Sequence, residues 1–154
     1  MKGNTLLLFR FVEKHGKLLY DMIKEHNDNN NRKVFFVFGG TDTDTREQIR
    51  SIVEKESDSI IVASYGVFSV GVNIRNLHNI IFASPSKSRI RNLQSIGRGL
   101  RKSKTKDIAK LFDIADDLKY KQKKNYTLDH FEERMKIYKE ENFPVATYHV
   151  QLKV

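Results

Sequence analysis

Short apolar runs alternate along the chain with stretches in which apolar residues recur at helical spacing. The first run, Thr5-Leu6-Leu7-Leu8-Phe9, has no polar alternation, as a strand covered on both faces requires. The spacing then predicts a helix over about 14–26 that buries Leu18, Leu19, Met22 and Ile23, closed by the polar stretch after Asn27. Val34 to Phe38 reads as a second strand, Gly39-Gly40 as a turn, and Asp44 with Glu47 as the N-cap and third position of a helix whose apolar face is Ile49, Ile52 and Val53. Ile60–Ala63, Asn79–Phe82 and Ala109–Ile114 read as further strands. Helices are expected over about 88–96 and around Phe131, Met135 and Tyr138. Val145 to Leu152 alternates polar and apolar residues and predicts a half-exposed edge strand. Strands alternating with helices in this way imply an α/β domain with a mainly parallel central sheet flanked by helices.

At 154 residues the chain suffices for one compact domain, and no internal repeat or long linker divides it. We read residues 1–154 as one domain, with 116–154 a C-terminal helix-plus-strand extension. The formal net charge of +9 favours polyanionic partners, although a generic basic surface gives the same sum. The chain has no cysteine, which removes disulfides, thiolate metal sites and Cys nucleophiles. Its five histidines are scattered without metal-ligand spacing, so no metal site is expected. With neither an export pattern at the N-terminus nor an apolar run of membrane-spanning length, a cytoplasmic location and no membrane partner are expected, and Asn125-Tyr126-Thr127 is read as a chance sequon.

Candidate chemistry concentrates in Gln94-Ser95-Ile96-Gly97-Arg98-Gly99-Leu100-Arg101. Arg98 and Arg101, three apart, share a face of a helix or tight turn. Two adjacent guanidiniums repel unless an anion lies between them, and a triphosphate suits that geometry. A solvated basic helix end explains the charge equally well. A second stretch, Ile60 to Asn73, runs from a buried strand into a glycine-bearing polar loop, the position where parallel sheets place ligands; an ordinary strand–loop unit, with Gly71 present for its backbone angle, is the alternative. Residues 84–106 hold Lys87, Arg89, Arg91, Arg98, Arg101, Lys102, Lys104 and Lys106 with no acid, and Lys119 to Lys124 forms a further basic run. Both suit phosphate attraction rather than base readout, and the second run also suits a solvated surface.

Gln-x-x-Gly-Arg-x-x-Arg resembles motif VI of superfamily 2 helicases. The segment with Ser64, Gly71 and Asn73 resembles motif V, and Leu7 to Val12 with His15-Gly16-Lys17 resembles motif IV. The three occur in the family's order over roughly residues 4–115, and the likeness extends to phage recombination helicases. The resemblance implies the second RecA-like domain of a helicase motor, a three-layer fold. It assigns Arg98 and Arg101 to the ATP phosphates as catalytic groups, and Gln94, Gly97, Gly71 and Asn73 to the nucleotide side. Ser64, Arg10, Gly39, Thr41 and Arg46 would face nucleic acid, although for Arg10, Thr41 and Arg46 a surface ion pair or loop cap is an equal alternative. The implied partner is DNA, branched or single-stranded, with RNA left open.

No phosphate-cradling Gly-x-x-x-x-Gly-Lys-Ser/Thr loop and no acidic Mg²⁺-holding motif occurs in the sequence. ATP and Mg²⁺ are therefore expected to be held mainly by an N-terminal RecA-like domain, with this chain an excised fragment or one piece of a split protein. Two other classes stay open at this stage: a non-catalytic nucleic-acid-binding RecA-like module, and another nucleotide-binding α/β enzyme in which the two arginines hold a substrate phosphate.

Overall fold

The computed structural model describes residues 1–27, 31–69, 74, 76–84, 109–121 and 123–151. Within them the sheet has five parallel strands: β1 (Thr5–Phe9), β2 (Val34–Val37), β3 (Ile60–Ser64), β4 (Asn79–Phe82) and β5 (Lys110–Asp113), in the order β2-β3-β1-β4-β5. All five residues of β1 are buried, as the unbroken apolar run requires of a central strand bonded on both sides.

Alternation along β1 divides the core into two layers. Leu6 and Leu8 point, with Ile61, Ala63, Ile80 and Phe82, toward α2 (Thr43–Lys55), α3 (Tyr65–Ser69) and α4 (Tyr126–Glu140). Leu7 and Phe9 point, with Val62, toward a π-turn (Val12–Gly16) and α1 (Lys17–Asn27). Helices on both faces of a parallel sheet make the three-layer α/β arrangement anticipated from the sequence.

Helix α1 turns a different face inward from the one expected. Leu18 and Met22 are exposed, and the partly buried stripe that packs on the sheet is Leu19, Tyr20 and Ile23. The reason is aromatic. Phe9 stacks on Phe36 at 5.5 Å, and Phe36 meets Phe38 at 5.6 Å and Tyr20 at 5.2 Å. Gly16 seats the start of α1 on this group, since a Cβ there would lie 2.4 Å from the Phe9 ring.

Other corrections are local. The N-cap of α2 is Asp42, not Asp44: its Oδ1 accepts from the Thr45 N–H at 2.8 Å. Glu47 pairs with Arg50, and Ile52 is partly exposed while Val53 is fully buried. The described residues 143–151 form no strand, and Val145, Tyr148 and Val150 are exposed, so the C-terminal edge strand expected from alternation is absent there. The helix expected over 88–96 lies outside the described residues.

Two buried polar arrangements fix the edges of the sheet. At the amino edge, fully buried Asn4 donates from Nδ2 toward the carbonyls of Val53, Glu56 and Asn76, and its Oδ1 accepts from the N–H and hydroxyl of Ser59, all between 2.7 and 3.0 Å. At the carboxyl edge, Asp113 closes β5 and receives a two-pronged pair from Arg134 of α4, Nε to Oδ2 at 2.7 Å and Nη2 to Oδ1 at 2.8 Å. The Tyr138 hydroxyl donates to Asp113 Oδ2 at 2.6 Å, and burial next to that carboxylate pushes the phenol's pKa well up.

Replacing Asn4 by Ala is expected to cost about 3 kcal/mol or more in urea unfolding, because several buried backbone groups lose their partner at once. Arg134→Met should cost about 3–5 kcal/mol by leaving Asp113 buried and unpaired, and the double change Asp113→Leu/Arg134→Met should recover most of it. A double mutant as unstable as the single one would show that the pair is not what binds α4.

Candidate nucleic-acid and nucleotide interface

Because every strand runs the same way, all the loops leaving their carboxyl ends gather on one edge. Spanning the five strands takes four gaps of ~4.8 Å, or about 19 Å. Along that edge lie Gly39 to Thr41 after β2, Ser64 at the end of β3, Arg10 after β1, Ser84 after β4 and Asp113 on β5. Register fixes the neighbours. Phe9 pairs with Ser64, and Leu8 with Phe82, so the exits of β3, β1 and β4 lie side by side.

Arg10 is exposed and its guanidinium lies 4.9 Å from the centre of the Phe11 ring, itself about half exposed. Its backbone N–H donates to Ser84 Oγ at 3.0 Å, tying the exit of β1 to that of β4. Ser84 did not stand out in the sequence, because a lone serine after a strand has no distinguishing pattern. Phe9, next to Arg10, is fully buried in the aromatic group and belongs to the core.

Ser64 is 8% exposed, so it shows little of itself beyond the strand end. The chain continues as the short helix α3 rather than as an open loop, with Tyr65 and Val67 buried in the core. The ring of Tyr65 packs 5.8 Å from that of Phe82, which couples this turn to β4.

The β2 exit is braced from within. Thr41 N–H donates to the Phe38 carbonyl at 3.0 Å, and Thr41 Oγ1 accepts from the Phe38 N–H at 3.1 Å, closing a tight turn. Arg46 on α2 donates from Nη2 to the Gly39 carbonyl at 2.9 Å. Its Nε is buried without a hydrogen-bond partner among the described residues, beside a small apolar cavity lined by Leu6, Val37, Ile61 and Val67 among others. Arg46 and Thr41 therefore hold the loop in shape, in line with the capping alternative. Gly39 would accept a Cβ freely, whereas at Gly40 one would sit 2.6 Å from the Phe38 ring; Gly40 is the sterically required glycine of this turn.

Arg98, Arg101, Gln94, Gly97, Gly71 and Asn73 lie outside the described residues. The described part thus brings Arg10, Ser64, Gly39, Thr41 and Arg46 to one edge, with Arg10 alone of the two arginines directing its guanidinium over an exposed ring.

Residues 1–103 match the model of the helicase conserved C-terminal domain. The chain belongs to that family. It is 40% identical over 150 residues to the ATP-dependent DNA helicase uvsW of Enterobacteria phage T4, covering 91% of this chain and 29% of that protein. It is 29% identical over 110 residues to the putative ATP-dependent helicase IRC3 of Saccharomyces cerevisiae, covering 71% of this chain and 15% of that one. The chain therefore spans under a third of the length of either relative. Among solved structures, a DEAD-box helicase domain 2, that of Mss116p bound to an RNA duplex, superposes with a TM-score of 0.68 at 16% identity over 97% of this chain and 53% of that one. The C-terminal part of the Fun30 ATPase domain superposes with a TM-score of 0.58 at 18% identity over 90% and 48%. These likenesses bear out the RecA-like helicase fold. Family and uvsW similarity bear out the resemblance read from the motifs.

The Asp42 cap gives a pH test of the β2 exit. Hydrogen bonds from the Thr45 hydroxyl and N–H hold its carboxyl below the ordinary value of 3.8. A depressed carboxylate contributes stability above its unfolded pKa and loses it as pH falls through the folded value. Protection of the Thr45 amide in hydrogen exchange should accordingly persist through pH 3.8 and decay only below it. Decay already centred on the ordinary value would mean that the cap is not formed in solution.

Proposed function

We propose that this chain is the second motor domain of an ATP-dependent superfamily 2 DNA helicase acting on branched or single-stranded intermediates of recombination and replication. The single observation that carries the reading is the match of residues 1–103 to the helicase C-terminal domain, in a chain 40% identical to a phage DNA helicase. In this reading a first RecA-like domain holds ATP and Mg²⁺, and Gln94, Gly97, Gly71 and Asn73 face the nucleotide across the cleft. Arg98 and Arg101 donate to the phosphoryl group as its charge shifts in transfer.

Nucleic acid runs along the carboxyl edge. Arg10 offers a guanidinium to a phosphate oxygen, and the braced Gly39–Thr41 turn offers backbone groups beside Ser64. Contacts of this kind neutralise phosphates without reading bases, so binding is sequence-tolerant and weakens with salt. Closure on ATP draws the domain toward its partner, and release after hydrolysis lets it step back.

This chain alone should hydrolyse no ATP. Supplied with a first RecA-like domain, it should support DNA-stimulated hydrolysis, which Arg98→Ala or Arg101→Ala should reduce by roughly 10³–10⁵ in kcat, the range of arginine fingers. Stimulated hydrolysis unchanged in both variants would instead favour a nucleic-acid-binding module without catalytic contribution. Turnover by the isolated chain would favour a different nucleotide enzyme.

A further inference from the structure

The basic run after β5 is folded, and it lies outside the family-matched residues 1–103. Tyr120 and Lys123 exchange backbone hydrogen bonds, N–H to carbonyl, at 3.1 and 3.0 Å around a tight turn in which Lys121 takes a positive φ of 55°. The base of this hairpin is locked. Leu118 N–H donates to Asn125 Oδ1 at 3.0 Å, and Asn125 Nδ2 and the Thr127 hydroxyl donate to the Asp116 carbonyl at 2.9 and 3.1 Å. It follows the carboxyl end of β5, the outer strand of the sheet, whose Asp113 is clasped by Arg134.

Tyr120 and Lys123, the bridged pair, share a face of the turn. Lys119 and Lys124 are neutralised, Lys119 by Asp117 at 3.0 Å and Lys124 by Glu132 at 2.5 Å. Leu118 and Tyr120 are 72% and 73% exposed. Neither Lys121 nor Lys123 has a carboxylate partner among the described residues, and Lys121 Nζ sits 5.5 Å from the centre of the Tyr120 ring. Tyr126, where α4 begins, adds a second ring at 84% exposure.

An exposed ring on a braced turn, flanked by unneutralised ammonium groups, fits a ligand that carries flat apolar faces and negative charge together. Unpaired nucleotides have both, and duplex DNA hides the first. We propose that the turn bearing Tyr120, Lys121 and Lys123 is a stacking platform for single-stranded nucleic acid: Tyr120 receives a base, and Lys121 and Lys123 hold the flanking phosphates. The platform rests on the reading that this domain grips nucleic acid, and extends the carboxyl-edge track past β5. It adds to the Arg10–Ser64–Gly39 edge a contact that separates unpaired from paired strands.

The test is binding of the 154-residue chain to fluorescein-labelled oligo-dT and to a duplex of equal length, by anisotropy across a salt series. Tyr120→Ala should weaken oligo-dT binding by about 5- to 150-fold, change duplex binding less than twofold, and leave thermal unfolding unmoved, since the side chain is solvent-facing. Tyr120→Phe should bind like the parent. Lys123→Gln should lower the slope of log affinity against log salt by about 0.7. A parallel titration with oligo-rU extends the platform to RNA if Tyr120→Ala weakens it equally, and restricts it to DNA if it does not. Unchanged oligo-dT affinity in Tyr120→Ala, equal losses on duplex and single strand, or a Tyr120→Phe variant as weak as Ala would each overturn the platform. Those failures leave the motor reading standing wherever the Arg98 and Arg101 variants still abolish stimulated hydrolysis.

Discussion

One side chain ties together the centre of this domain's amino edge. Asn4 precedes the central strand and reaches the end of α2, the start of β3 and the segment before β4, while its own main chain binds His78 on both sides. An amide serves here because it carries donors and an acceptor on one short, neutral group; a carboxylate would face three carbonyl oxygens with nothing to donate. With the amino edge tied this way, connections there are held to the strands and present little. The loops at the opposite edge are then free to differ in shape and chemistry without disturbing the sheet.

That opposite edge is held by other means. A buried ion pair is a costly way to dock a helix, since both charges lose water, and an apolar pair would dock it at least as firmly. What Arg134 and Asp113 add is direction. A two-pronged guanidinium–carboxylate contact is planar and admits one approach, and the Tyr138 hydroxyl takes a further lone pair of the same carboxylate. Helix α4 is thereby fixed in rotation as well as position against the end of β5. The hairpin between them inherits that orientation, which a greasy contact alone would leave free to slide.

How far the sequence disclosed this depends on which force decided each element. Strands were legible because a buried parallel strand must be apolar at every position, and β1 to β4 follow their apolar runs within a residue. The face of α1 was not, because two adjacent stripes are both apolar; the choice fell to Tyr20, whose ring joins Phe36 and which reads as half polar in isolation. The cap of α2 was ambiguous in Thr41-Asp42-Thr43-Asp44-Thr45, and Thr41's commitment to the Phe38 turn leaves Asp42 as the cap. Arg134 was passed over because a charge is read as solvated, although it stands on the same helical stripe as Phe131, Met135 and Tyr138. Alternation in 145–150 misled because an edge strand also needs an edge to pair with, and periodicity says nothing about that. Of the site, the positions at strand ends could be read from the fold. The roles of Thr41 and Arg46 could not, since bracing a turn and binding a phosphate call for the same donors.

The position of Ser84 bears on how a second motor domain would couple its two tasks. Its hydroxyl accepts from the N–H of Arg10, and it is the last described residue before the segment that carries Arg98 and Arg101. Strands β1 and β4, which deliver these residues, are direct neighbours in full register. In the proposed reading, a displacement of Ser84 is therefore passed to the backbone beside a nucleic-acid-facing arginine through one hydrogen bond and one strand pair. Packed strands transmit such displacement with little loss, because a close-packed core resists compression.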